Sequence, residues 1–134
     1  MRKTRKLLVG TLVSVGLMMS LSMSALAANT KFTADLPKYQ MDTEVSTVRK
    51  AKDTSYFTIT ISTIGAGTNA VCAWTEGDLT GLNYSSPYNQ VERGTENIDY
   101  ALLQPKPNEN VVLNLDNPVS LNYTVYVTGS WDPN

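Results

Sequence analysis

Apolar and polar side chains alternate strictly along much of this chain, the signature of half-buried strands, because successive residues of a strand point to opposite faces of a sheet. Phe57, Ile59 and Ile61 alternate with Thr58, Thr60 and Ser62. A longer run sets Val119, Leu121, Tyr123, Val125 and Val127 against Ser120, Asn122, Thr124, Tyr126 and Thr128, and predicts the most regular strand of the chain. Shorter strands are predicted over Lys31–Leu36, Thr43–Lys50, Ala70–Glu76, Ile98–Leu103 and Val111–Leu115.

Turn-forming clusters separate these runs: Gly65-Ala66-Gly67-Thr68-Asn69, Glu76-Gly77-Asp78, Ser85-Ser86-Pro87, Gln104-Pro105-Lys106-Pro107-Asn108 and Asp116-Asn117-Pro118. No window after the leader sustains a helical period with caps at both ends. Short strands with regular turn signals imply an all-β fold, a small antiparallel β-sandwich of immunoglobulin-like or jelly-roll-like kind. Residues 78–94, rich in Asn, Ser and Tyr, are expected to be the mobile loop.

The first residues follow a different pattern. Arg2, Lys3, Arg5 and Lys6 precede a mostly apolar run from Leu7 to Leu21, and Ala25-Leu26-Ala27 supplies the small residues a signal peptidase requires. Residues 1–27 are therefore expected to be a signal peptide, cut between Ala27 and Ala28, with a single secreted β domain over 28–134. An uncleaved membrane anchor is the rival reading, weakened by Gly10, Ser14, Gly16, Ser20, Ser22 and Ser24. The membrane is expected to matter only through this leader, before cleavage.

Charge narrows the partners. Four of the eleven basic residues lie in the leader and all twelve acids follow it, so the remainder carries seven positive charges against twelve negative. That balance argues against nucleic acid, whose phosphates require clustered Lys and Arg. It also argues against a bacteriocin-like polypeptide that attacks anionic membranes. Arg49-Lys50-Ala51-Lys52, the one basic run, reads as a solvated face.

The chain contains no histidine. It thus lacks the usual general base near neutral pH, the commonest zinc ligand and the middle member of a Ser or Cys triad. Carboxylate chemistry remains, and Glu76 with Asp78, or Glu92 with Glu96, would be the acids of a glycosidase; both sets sit among turn residues and read as solvated. Asp78, Asn83, Asp116 and Asn117 offer oxygen donors for calcium, but no loop repeats a dense acid spacing, so no catalytic residue, metal site or cofactor is assigned. The single cysteine, Cys72, excludes an intramolecular disulfide and reads as a small buried hydrophobe.

All eleven aromatic residues follow the leader. Trp74, Tyr84, Tyr88, Tyr126 and Trp131 are the candidate binding residues, since Tyr and Trp suit protein interfaces and the faces of sugar rings. The competing reading puts Trp74 in the core and makes Trp131 a plug over one end of the sandwich, because a small domain without disulfides needs its large side chains inside.

Lys50-Ala51-Lys52-Asp53-Thr54-Ser55-Tyr56 leading into the Ile59 strand, and the ending Val127-Thr128-Gly129-Ser130-Trp131-Asp132-Pro133-Asn134, resemble a family of small secreted proteins of Gram-positive bacteria classed as a domain of unknown function. Asp132 and Asn134 stand where that family's ending has Ser and Asp. The resemblance implies one secreted β domain with no catalytic residues to carry over. Gly129 is expected to end the last strand in a sharp turn, with Pro133 preventing further pairing. These observations together lead to the expectation of a non-enzymatic domain that contacts an unknown protein, or an envelope or glycan surface, outside the cell.

Overall fold

Eight strands make up the fold: β1 (Thr30–Leu36), β2 (Thr43–Arg49), β3 (Tyr56–Ile64), β4 (Ala70–Gly77), β5 (Gln90–Glu92), β6 (Gly94–Asp99), β7 (Asn110–Asp116) and β8 (Val125–Asp132). The structure, a computed structural model, describes residues 29–134, so the expected signal peptide and the residues expected at its cleavage, Ala25, Ala27 and Ala28, lie outside the described residues. No helix occurs among the described residues.

The strands form two antiparallel four-stranded sheets, β1-β8-β3-β6 and β2-β7-β4-β5. The pairs β1·β8, β2·β7, β3·β6 and β4·β5 are each hydrogen-bonded, which is the pattern of one long hairpin wound around itself. This connectivity makes the sandwich a jelly roll rather than an immunoglobulin-like arrangement.

Alternation decides which side chains enter the core. Phe32, Ala34 and Leu36 of β1, Phe57, Ile59 and Ile61 of β3, and Val125, Val127 and Trp131 of β8 point inward from the first sheet. Val71 and Ala73 of β4, Val91 of β5, and Val111, Leu113 and Leu115 of β7 meet them from the second. Two bulges adjust the phase. One between Ile61 and Thr63 returns Ile64 to the core; the other, between Glu44 and Ser46, turns Ser46 toward the indole of Trp131, whose Nε1 donates to Ser46 Oγ at 2.6 Å.

Several sequence expectations require correction. Residues 119–123 are not a strand: β8 begins at Val125, where its pairing with β1 starts, and Val119 is 47% exposed in the β7–β8 connection. The strand expected over Ile98–Leu103 lies instead over Gly94–Asp99, in register with β3. Gly129 does not end the last strand. It sits within β8 between β1 and β3, where a Cβ would overlap the Thr60 carbonyl oxygen and press on the Phe32 ring.

In the basic run Arg49, Ala51 and Lys52 are exposed as expected, but Lys50 is fully buried. Its Nζ donates to Thr54 Oγ1 (2.7 Å), Pro133 O (2.8 Å) and Asn134 O (3.0 Å), and lies 4.7 Å from the centre of the Tyr100 ring. These acceptors and the ring face make a buried ammonium tolerable. The segment between β4 and β5 is likewise tied down: Tyr84 N donates to Thr75 O and Ala73 N to Asn89 O, extending the edge of β4.

Candidate functional site

Cys72, Trp74 and Glu76 occupy the alternate positions of β4, with side chains on the opposite face from the core residues Val71 and Ala73. Register places them beside Asp116, Asn114 and Val112 of β7. An outer sheet face would ordinarily be open to solvent. Here Trp74 is only 5% exposed, because chain segments rise around it on both sides.

The resulting cleft, about 430 Å³, has Trp74, Cys72 and Glu76 at its floor, Asn83, Pro87, Tyr88 and Gln90 along one wall, and Gln40, Asp42, Asp116, Asn117 and Pro118 along the other. Tyr88 stands 85% exposed at the rim. The second wall is stitched by hydrogen bonds between the β1–β2 and β7–β8 connections: Gln40 Nε2 donates to Asn117 O (3.3 Å), Asn117 Nδ2 to Pro37 O (3.3 Å) and Tyr39 N to Leu121 O (2.9 Å).

Three carboxylates and no lysine or arginine line this cleft. Burial pushes the Asp116 carboxyl above the usual carboxylate range; the Asn117 backbone N–H opposes the rise and the charge of Asp42 adds to it. The Cys72 thiol is raised by burial and by Asp116, its partner across the strands, so it is a poor nucleophile near neutral pH.

A second concavity of about 490 Å³ is lined by Arg49, Asp78, Leu79, Thr80, Tyr84, Glu109 and Asn110. Its acids are already engaged. Glu109 accepts from the Tyr84 hydroxyl (3.2 Å) and Lys106 N (3.1 Å), and Asp78 accepts from Asn110 Nδ2 (3.2 Å). In the cleft over β4 and β7, by contrast, Asp116 Oδ1 and Asn117 Oδ1 are buried without partners among the described residues. Groups left unpaired in this way are the ones that gain most from a ligand, so the cleft is the stronger candidate.

Of the five aromatic candidates the structure brings together two, Trp74 and Tyr88. Tyr84 and Trp131 belong to the core: Tyr84 packs edge-on against Tyr100 at 6.3 Å, and Trp131 stands edge-on to Phe57 at the same separation. Trp131 is thus an interior plug between the sheets, and Trp74 is buried on the outer side of its sheet rather than in the core. Tyr126 is half-exposed on β8, in the other sheet. Glu92 and Glu96 are exposed on β5 and β6, away from Glu76.

Sequence reasoning did not single out Gln40, Asp42 or Gln90. No local signal marks them, because the pairing of β2 with β7 and of β5 with β4 is what brings them to the cleft. Among the described residues no group of three or more His, Cys, Asp and Glu side chains is placed to hold a metal. Comparison of the chain with protein-family models, curated proteins and solved structures returned no match.

Proposed function

We propose that this chain is an exported, non-enzymatic binding module whose cleft over β4 and β7 takes an uncharged glycan at or outside the cell envelope. The leader supports export, and the resemblance of the chain's ending to that of the secreted Gram-positive family belongs to the same reading. The observation that carries the ligand class is the lining of the cleft. An exposed tyrosine at the rim, an indole at the floor and four carboxamide side chains, Gln40, Asn83, Gln90 and Asn117, surround a space sized for one or two sugar rings. Carboxamides both accept from and donate to sugar hydroxyls and carboxylates accept from them, and the three acids with no cation among them disfavour anionic polysaccharides.

Calorimetric titration with neutral and acidic oligosaccharides tests this. Binding of a neutral oligosaccharide is expected, weakened at least about tenfold by Tyr88→Ala, which removes a stacking face, and unchanged by Tyr126→Ala on the other sheet. A Tyr88→Ala protein that binds as tightly as the unaltered one would refute the assignment, as would preference for the acidic sugars. The second reading is a carboxylate-dependent hydrolase, favoured by Glu76 and Asp116 sharing one cleft, with burial raising the Asp116 carboxyl above the usual carboxylate range. Release of reducing ends from a bound glycan, lost in Asp116→Asn, would establish it.

A further inference from the structure

The register of β2 and β7 has a consequence at the end of the cleft. Thr43 of β2 pairs with Leu115 of β7. One position further on, continuation of that register would set Asp42, just outside β2, opposite Asp116 at the end of β7, and both line the cleft. Like charges facing across neighbouring strands repel, and such a pair persists only where something offsets the repulsion.

Asn117, next in the chain and 0% exposed, lines the same wall. Its Nδ2 is spent on Pro37 O, and its Oδ1 has no donor. Asp116 Oδ1 is buried and equally without a donor. Gln40 completes the wall: its Nε2 is spent on Asn117 O, and its side-chain oxygen is not engaged by any hydrogen bond among the described residues. The wall thus gathers two buried oxygen acceptors without donors, one on a carboxylate, beside the exposed side chains of Asp42 and Gln40, in a corner held by hydrogen bonds between two connections.

We propose that Asp42, Asp116 and Asn117 hold a calcium ion at this end of the cleft, with Gln40 as a further oxygen ligand. Calcium is the hard cation that accepts irregular sets of carboxylate and carboxamide oxygens and fills its remaining positions with water, whereas magnesium demands near-octahedral geometry. Only two carboxylates take part, which accords with the absence of a denser acid cluster among the described residues and sets the affinity in the range of extracellular modules, with a dissociation constant of about 0.1–1 mM. The ion links the β1–β2 and β7–β8 connections and fixes one wall of the cleft. This inference does not rest on the glycan reading, since it concerns calcium in the absence of any sugar.

The test is thermal unfolding of the protein expressed from its full sequence, stripped with a chelator and returned to chelator-free buffer. Addition of 10 mM calcium is expected to raise the midpoint by about 5 °C or more, and the same concentration of magnesium by much less. Asp116→Asn and Asp42→Asn should each abolish most of the shift. Because Asp42 is exposed, its variant is expected to fold normally and keeps the test decisive if Asp116→Asn does not fold. Asp35→Asn, on the exposed face of β1, should retain the full shift. Absence of a calcium shift, an equal shift with magnesium, or a shift that survives Asp42→Asn would overturn the proposal.

Discussion

Truncation of Trp131 to alanine is the sharpest test of how this sandwich is held together. The side chain is 0% exposed, meets Phe57 of its own sheet edge-on at 6.3 Å and donates from Nε1 to Ser46 Oγ of the opposite sheet at 2.6 Å, so one residue packs in the shared core and ties the two sheets by a hydrogen bond. A buried indole removes on the order of 150–250 Å² from water, roughly 4–6 kcal/mol at about 25 cal/mol per Å². Partial collapse of the site brings the expected cost to about 3–5 kcal/mol. A domain of this size has about 5–15 kcal/mol in total, so Trp131→Ala sacrifices roughly a fifth or more of its stability.

Urea unfolding followed by circular dichroism is the appropriate assay, since the substitution leaves Trp74 as the sole tryptophan and changes the fluorescence reference. Ser46→Ala alone should cost about 1–3 kcal/mol, because it leaves a buried indole N–H without an acceptor. The double variant should then lose little more than Trp131→Ala, the non-additivity of two groups sharing one bond. A loss below about 1 kcal/mol for Trp131→Ala, with an unchanged denaturant slope, would refute the assignment of this side chain as the link between the sheets.

Other outcomes follow from the same structure. Burial lowers the Lys50 ammonium from 10.5 to about 8, against the opposing pull of Asp53 and Asp132, so between those values the unfolded chain keeps a proton that the folded chain has shed. Stability should therefore rise as pH increases from about 8 toward 10. It should fall again above that, where Tyr84 and Tyr100, both raised by burial, hold protons that the unfolded chain releases. Lys50→Met should flatten the rise, as read by unfolding midpoints across pH, and a rise that persists in this variant would exclude Lys50 as its source. Gly129→Ala should destabilise by about 2 kcal/mol or more, since the new methyl meets backbone of β3 and the Phe32 ring at once; an unchanged midpoint would show that β8 can shift to admit it.

Local periodicity was a good guide where a strand had partners to satisfy it. Phe57, Ile59 and Ile61 alternate because β3 is paired on both edges and packed on one face, and the same logic identified β1, β2, β4 and β7. It failed over Val119–Tyr123, where the alternation is as regular but the chain crosses from one sheet to the other with no strand in register. The sequence signal for Lys50 failed for a related reason. A lysine in a basic run looks solvated until the β8 end supplies two carbonyl oxygens more than eighty residues away.

The chain's own order of side chains thus determined the all-β class, the inward and outward faces of most strands, the absence of imidazole chemistry and the lack of a disulfide, because each depends on residue type and near neighbours. Only the tertiary structure decided that the sandwich is a jelly roll, that Trp131 and Tyr84 are interior while Trp74 and Tyr88 frame a cleft, and that Asp42 and Asp116 line that same cleft. Those outcomes depend on pairing β2 with β7 and β4 with β5 and β7, contacts between segments far apart in the chain, and no local pattern of residues encodes which distant strand will complete a sheet.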